Sequence, residues 1–296
     1  MTSRILLSAE NTVIVIPCAG ELQAAQAINA ALAQGELHRV VLAGKRPEGL
    51  QAQERLTIYD TAAAVPPGMA RNLGVKCAGH ADVYIFLDAD CVPHPGWLDA
   101  ILARMNEGFD LVGGVIRPEG CGYFFMADQA TSFFDQLENT KGGRIPTLTA
   151  TNLAVTRTMW DKAGPFPEVS MAGEDLEFVM RCRREGAQPW LESAACVTHR
   201  PGPIGFRRMW RHAGHWGKDS IHVRKKYPDL LLTPKWMMNP FLLAIAAPVI
   251  GTVFAFHQLA RTPHPYRRLR LWPAMAIAKT VWCLAAAKSL WLAKSD

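Results

Sequence analysis

The stretch "VYIFLDADC", residues 83–91, decides the fold. Five apolar residues run without interruption from Val83 to Leu87, and two carboxylates, Asp88 and Asp90, follow at once. A continuous run of β-branched and aromatic residues is typical of a central strand covered on both faces. The pattern therefore predicts a buried strand whose carboxyl end carries two acidic side chains.

Two carboxylates at the end of a strand need either a ligand or a local partner. Ligands of open α/β sheets gather just beyond the carboxyl ends of the strands. Carboxylates in such a cleft are costly unless a cation or hydrogen-bond donors meet them, and a hard divalent metal that holds phosphates is one natural partner. The alternative is a simple turn, in which Asp88 and Asp90 only accept backbone N–H bonds.

The elements around this strand alternate between β and α. Strands are predicted at residues 13–16, 40–43, 56–59, 111–116 and 195–199, and helices at 21–34, 70–79, 97–107 and 174–185. Residues 118–148 show no clear period and are predicted to form loop and helix near a pocket. Such alternation indicates a largely parallel sheet flanked by helices.

The composition changes near residue 236. Residues 240–256 are apolar and uncharged, residues 271–293 are apolar apart from Lys279 and Lys288, and the segment between the two is strongly basic. Positive charge on both flanks of the first segment fits a simple span poorly, because cytoplasmic loops attract Lys and Arg. We expect residues 236–296 to be a membrane-associated helical region, whether interfacial, re-entrant or hairpin. A soluble helical subdomain is the alternative. Residues 1–235 form the predicted catalytic domain.

The bulk composition excludes several classes of protein. The chain has 296 residues, a formal net charge of +6 and seven cysteines without a C-x-x-C pair, so neither a zinc site nor a disulfide framework is predicted. The basic tail lacks a nucleic-acid-binding signature, and no nucleic-acid partner is expected. The segment Ile5-Leu6-Leu7 is too short for the apolar region of a signal peptide, which places the catalytic part in the cytoplasm.

Further polar residues occur at the predicted ends of elements. Glu174 and Asp175 occupy the first turn of a helix, where the helix dipole favours carboxylates whether or not one serves as a general base. His199 ends an apolar strand, and it is either structural or a third ligand, beside an Asp and a diphosphate, for manganese or magnesium.

Together these segments resemble the family 2 glycosyltransferases of the GT-A fold, an inverting class that uses nucleotide sugars. The resemblance covers roughly residues 11 to 215. Its motifs are Val13–Pro17, Pro67–Gly74, Phe86–Asp90, Thr151–Ala154 with Gly164–Phe166, and Gly173–Glu177. The resemblance implies a mostly parallel, Rossmann-like sheet and transfer of a sugar from a nucleotide-diphosphate donor to a hydroxyl acceptor.

The resemblance also implies roles for individual residues. The donor site would include Pro17, Arg71 at the nucleotide and Asp88 at the ribose. Asp90, with Asp88 and His199, would hold Mn²⁺ or Mg²⁺. Asp175 would be the base, and Glu174 would help to place the acceptor. A UDP-sugar is the family's usual donor. A lipid-linked or cell-surface glycan precursor as acceptor, and a location at the cytoplasmic face of the membrane, fit the apolar tail.

The chain departs from the family pattern in two places. Residues 43–47 replace an acidic turn that helps to read the nucleotide base, and Asp60 is the predicted substitute. The Q-x-x-R-W element of processive synthases is absent, and the basic, aromatic segment 207–212 stands in its region. This favours transfer of a single sugar, although the segment is equally consistent with a membrane-facing basic helix.

Two other functions remain open from the sequence. One is a non-catalytic membrane scaffold that keeps the GT-A fold. The other is a nucleotidyltransferase, since "VVLAGKRPEG" at residues 40–49 faintly resembles a Gly-rich phosphate loop, but after the second strand rather than at the first.

Overall fold

The computed structural model describes residues 6–36, 38–168 and 171–293. The outer ends of the two predicted domains, residues 1–5 and 294–296, lie outside the described residues. Ile5 of the short apolar segment therefore also lies outside them.

The described residues form one mixed sheet of nine strands. The strands are β1 (Thr12–Ala19), β2 (Arg39–Lys45), β3 (Leu56–Asp60), β4 (Val83–Leu87), β5 (Cys91–Pro93), β6 (Leu111–Pro118), β7 (Gly143–Arg144), β8 (Asn152–Thr156) and β9 (Trp190–His199). Their order is β3-β2-β1-β4-β8-β6-β9-β5, with β7 paired to β9. Strands β1 to β4, β6 and β9 run in one direction, and β5, β7 and β8 run against them. The prediction of a mostly parallel sheet is confirmed.

Strand β4 lies near the middle of the sheet and is buried throughout. Its side chains alternate between two cores: Tyr84 and Phe86 pack on one face, and Val83, Ile85 and Leu87 on the other. Helices cover both faces, which explains why the strand has no polar alternation.

The helices are α1 (Ala24–Leu32), α2 (Pro67–Ala78), α3 (Trp97–Asn106), α4 (Tyr123–Phe133), α5 (Arg157–Ala163), α6 (Glu174–Arg184), α7 (Phe206–Lys226), α8 (Pro240–Arg261) and α9 (Trp272–Leu292). Helix α2 begins three residues before the predicted start, because Pro67 has the φ value of a helix and needs no N–H partner there. Strand β9 begins at Trp190 rather than at residue 195, since it pairs with β6 on both sides of a bulge.

Helices α7, α8 and α9 pack closely together and against α4. Met209 of α7 and Met275 of α9 share one apolar cluster with Ala130 of α4. Further along, a Cβ atom on Gly217 would come within 2.2 Å of the Trp282 carbonyl oxygen, so only glycine permits this approach of α7 to α9. Helices on the two sides of the predicted domain boundary, after residue 235, therefore pack directly against each other. The domain division remains a prediction.

Helices α8 and α9 confirm that the C-terminal region is helical and apolar. Both have the length and composition of membrane spans, although they would also suit partly buried helices of a soluble protein.

Candidate active site

A cleft of about 940 Å³ opens beyond the carboxyl ends of β1 and β4. Its lining includes seven of the eight residues predicted from the sequence: Pro17, Arg71, Asp88, Asp90, Glu174, Asp175 and His199. They come from separate parts of the chain and meet because parallel strands end at one edge of the sheet. The cleft is therefore the candidate active site.

Asp88 and Asp90 lie on a tight turn between β4 and β5. The Cys91 N–H donates to the Asp88 carbonyl oxygen at 2.9 Å, and the Asp88 N–H donates to the Thr151 carbonyl oxygen at 3.3 Å. The backbone thus forms the turn that was the simpler alternative. Both carboxylates nevertheless line the cleft, so the turn presents them to a ligand.

His199 faces Asp90 across the cleft floor. Its Nε2 lies 3.4 Å from Asp90 Oδ2, and its Nδ1 lies 2.8 Å from Gln129 Oε1. Because an amide oxygen only accepts, Nδ1 carries the proton, and Nε2 is the ring nitrogen that faces the carboxylate. Nε2 and the carboxylate oxygen are thus placed so that one cation could contact both of them. A hydrogen bond to the other ring nitrogen typically orients a histidine that binds a metal.

Cys91 is grouped with Asp90 and His199 by distance, but its chemistry does not suit a ligand. The residue is fully buried, and this burial, followed by the charge of Asp90, raises the pKa of its thiol well above the ordinary value. Hard cations such as Mn²⁺ and Mg²⁺ prefer carboxylate oxygen to sulfur. The side chains that could hold such a cation are therefore Asp90 and His199, with Asp88 beside them.

Arg71 of α2 joins the two acidic motifs. Its guanidinium donates to Asp88 Oδ1 at 2.9 Å and to Glu174 Oε1 at 2.6 Å, and Arg71 and Glu174 are both buried. Burial opposes its charge, but these carboxylates hold the pKa of Arg71 above its ordinary value. Glu174 is therefore held in place by Arg71, and its part in placing the acceptor stays a prediction.

Asp175 lies on the first turn of α6, after Gly173, whose φ of 79° suits glycine. One carboxylate oxygen accepts from the Leu176 N–H at 2.7 Å and the other from the Ala150 N–H at 3.3 Å. Burial and the adjacent Glu174 charge raise the pKa of Asp175 to about 7, although Arg71 and the two N–H bonds oppose the shift. A carboxylate with this pKa accepts a proton near neutral pH.

Helix α7 supplies one wall of the cleft. Arg208, Arg211 and His212 line it, whereas Trp210 is exposed. One face of the helix at residues 207–212 therefore lines the cleft. The interpretation as a membrane-facing helix can apply only to the other, exposed face. His212 Nδ1 lies 2.9 Å from Asp128 Oδ1, a pair that no sequence motif indicated.

Asp60 is the predicted site residue that the structure does not bring to the cleft. It is exposed at the end of β3, and its carboxylate accepts the Ala62 N–H at 2.9 Å and the Arg46 N–H at 3.2 Å. Strands β2 and β1 separate it from β4, whose carboxylates line the cleft.

The fold is similar to that of the GT-A glycosyltransferases. Residues 48–163 match the family model described as "Glycosyl transferase family 2", which confirms the resemblance read from the motifs. Glycosyltransferase AglE of Haloferax volcanii is 26% identical over 180 residues, an alignment that covers 58% of this chain and 58% of that protein. The comparison thus spans less than two thirds of that relative's length.

Two solved structures share the fold. The mannosyltransferase PcManGT of Pyrobaculum calidifontis, in complex with GDP-Man and Mn²⁺, superposes with a TM-score of 0.59 at 17% identity, over 95% of this chain and 87% of its own. GalNAc-T7 with UDP, GalNAc and Mn²⁺ has a TM-score of 0.56 at 13% identity, over 80% of this chain and 50% of its own. Because one of them holds GDP and the other UDP, the fold does not fix the nucleotide base.

Proposed function

We propose that this protein is a metal-dependent, inverting glycosyltransferase that moves one sugar from a nucleotide-diphosphate donor to an acceptor hydroxyl. The observation that carries this proposal is the convergence of the Asp90–His199 pair and the buried Asp175 in one cleft. A donor site and a base are the two parts that such a reaction requires.

Asp90 and His199 would hold Mn²⁺ or Mg²⁺, with Asp88 close by. When bound, a divalent cation neutralises charge on the departing diphosphate. Arg208 and Arg211 on the wall of the cleft would add further positive charge near the diphosphate. Pro17, near the end of β1, also lines the cleft. We propose a UDP-sugar as the first donor to test, because it is the family's usual donor.

Asp175 would remove the proton from the acceptor hydroxyl. The hydroxyl oxygen then attacks the anomeric carbon on the face opposite the diphosphate, which leaves with the bonding electrons, so the configuration inverts. Arg71 is a positioning residue, since it fixes Asp88 and Glu174 and thereby the distance between donor site and base. A positioned base typically contributes about 10²- to 10⁴-fold in rate.

We also propose that α8 and α9 attach the protein to the cytoplasmic face of a membrane. Large apolar side chains form an exposed stripe along α8: Phe241, Ile245, Val249, Val253 and Phe256. Spacings of three and four residues place them on one helical face, which is the pattern of an interfacial helix. A lipid-linked acceptor, or another glycan precursor at that surface, is the substrate that this location favours.

The packing of α7 favours an interfacial position over a span. Helix α7 carries many Arg and Lys residues and runs beside α9 from the apolar cluster shared by Met209 and Met275 to the bond between His222 Nε2 and Ser289 Oγ at 2.8 Å. If α9 crossed the bilayer, this charged helix would enter the hydrocarbon with it. Charges at the bilayer centre are costly, so both helices are better placed at the interface.

The two other candidate functions are weaker. A non-catalytic scaffold would not need the buried ion pairs of Arg71 and the raised pKa of Asp175 in the same cleft. A nucleotidyltransferase gives no role to Glu174, Asp175 or the apolar helices.

Titration calorimetry with UDP and GDP, with and without Mn²⁺, tests the donor site. We expect one nucleotide to bind only when Mn²⁺ is present, and Asp90→Ala to abolish that binding. Asp99→Ala, which removes an exposed carboxylate outside the cleft, is the matched control and should bind like the unaltered protein. If neither nucleotide binds under any condition, the non-catalytic scaffold becomes the better proposal.

A further inference from the structure

A second cavity of about 180 Å³, the inner chamber, lies between the cleft and the C-terminal helices. Helices α4, α7, α8 and α9 all contribute to its walls. The residues that line both cavities are Asp128, Ser132, Thr149, Asp175, His212 and Trp216. The inner chamber therefore adjoins the proposed base on the side facing the helices.

Two basic side chains line the inner chamber without a counter-ion. Among the described residues, neither Arg224 of α7 nor Lys279 of α9 forms an ion pair with a carboxylate. The Arg224 guanidinium lies 5.5 Å from the centre of the Trp282 ring, and its Nε is buried without a hydrogen-bond partner. Burial, followed by the Arg224 charge, lowers the pKa of Lys279 to about 8. The two cations thus repel each other in a poorly solvated space.

The acids of the inner chamber offset this charge only at a distance. Asp128 is paired with His212, and the Asp128 and Asp135 charges act on Lys279 without forming an ion pair with it. The Thr131 hydroxyl is also buried and unpartnered. Arg224 and Lys279, which are half-buried, and the unpartnered Thr131 hydroxyl therefore offer an anion in the inner chamber two positive charges and a hydrogen-bond donor.

Part of the lining of the inner chamber is apolar. Ile250 and Phe254 of α8 line it together with Trp282 of α9. Phe254 is 43% exposed, so the same side chain also reaches the outer surface of α8 near the apolar stripe. Phe254 therefore joins the lining of the inner chamber to the apolar surface of α8.

We propose that the inner chamber binds the phosphate or diphosphate group of a lipid-linked acceptor, with Arg224 and Lys279 holding the anion and the lipid chain leaving past Phe254. This inference rests on the proposed function and names its acceptor. Since a water molecule occupies about 30 Å³ in the liquid, the volume suffices for the anion and the first carbons of the chain. The acceptor's sugar then lies at the mouth of the inner chamber, beside Asp175.

Binding of farnesyl diphosphate in detergent micelles tests this inference on the full chain. The cleft is first saturated with Mn²⁺ and the nucleoside diphosphate that binds it, so that the probe reports the inner chamber alone. Quenching of tryptophan fluorescence gives the affinity, since Trp216 and Trp282 line the space. We expect the double variant Arg224→Gln/Lys279→Gln to bind the probe at least tenfold more weakly. Arg224→Lys, which keeps the charge, should retain most of the affinity.

One control variant and two other ligands test whether the probe binds through the two basic side chains and through its lipid chain. Lys225→Gln removes an exposed neighbouring charge and should bind the probe normally. Farnesol, which lacks the diphosphate, should bind much more weakly than farnesyl diphosphate. Equal affinity of the double variant, or equal affinity for farnesol, would overturn the inference. Inorganic pyrophosphate that binds as tightly as the lipid would overturn the lipid part of it.

Failure of this inference can be told apart from failure of the proposed function. Nucleotide binding in the cleft checks that the double variant is folded, and slow donor hydrolysis without acceptor reports the transferase chemistry in the unaltered protein. Hydrolysis together with unchanged probe binding would contradict only the acceptor assignment. Probe binding through Arg224 and Lys279 without any nucleotide binding would contradict the donor site instead.

Discussion

Among single residues, Asp175, the proposed base, is the one whose environment gives the most direct test of the proposed function. Its carboxylate is buried beside Glu174, and both effects stabilise the protonated form, which raises its pKa to about 7. A base must be deprotonated to act. The rate of donor hydrolysis should therefore rise with pH through about 7 and level off above it.

A substitution of Glu174 tests this cause. Glu174→Gln removes a negative neighbour and frees Arg71 to favour ionised Asp175, so the midpoint of the pH–rate profile should move to lower pH. Asp175→Asn is the control, and it should lower the rate by about 10²- to 10⁴-fold and remove this pH dependence. An unmoved midpoint in Glu174→Gln would show that another group titrates.

A site residue can be predicted from the sequence when its position depends on nearby residues in the chain. Asp88, Asp90 and Asp175 were predictable because strand ends and helix starts can be read along the chain. Gln129 was not, since its bond to His199 joins residues 70 positions apart. Asp60 was proposed from its place at a strand end. The strand order put it outside the cleft, and that order cannot be read from a single segment.

At the scale of elements, sequence patterns missed strand β8, which lies between β4 and β6, and the contact between α7 and α9. The apolar runs predicted α8 and α9, but nothing in them indicates that the charged α7 packs alongside. Gly217 allows the contact because a Cβ atom there would meet the Trp282 carbonyl oxygen at 2.2 Å. Backbone atoms cannot move aside as a flexible side chain can.

Gly217→Ala should therefore destabilise the protein even though alanine is the better helix former. We expect a loss of about 1–3 kcal/mol, which is typical of overpacking. Gly214→Ala is a matched control on the same helix, because the nearest atom to its Cβ would be Val281 Cγ1 at 4.0 Å. It should gain up to about 1 kcal/mol. Urea unfolding of both variants measures the difference, and two equal gains would show that α7 and α9 are apart.

For the whole molecule, the remaining question is how it meets a membrane. The exposed stripe of α8 and the basic connector after it, with Arg267, Arg268 and Arg270, lie next to each other in the chain. Apolar side chains and positive charge together suit an anionic lipid surface. The catalytic cleft and the inner chamber would then lie within reach of a lipid-linked substrate.

Flotation with lipid vesicles measures this attachment. The protein should float with vesicles that contain anionic lipid, less so with neutral ones, and less at high salt because the basic contribution is screened. Ile245→Ser/Val249→Ser should weaken binding by tenfold or more, since these side chains are 79% and 68% exposed and each contributes about 1–2 kcal/mol when buried in lipid. Leu22 is an apolar residue that is 73% exposed and lies outside the C-terminal helices, so Leu22→Ser should bind vesicles normally. Protein that resists alkaline extraction from cell membranes would instead show that α8 and α9 span the bilayer, and α7 would then have to leave α9.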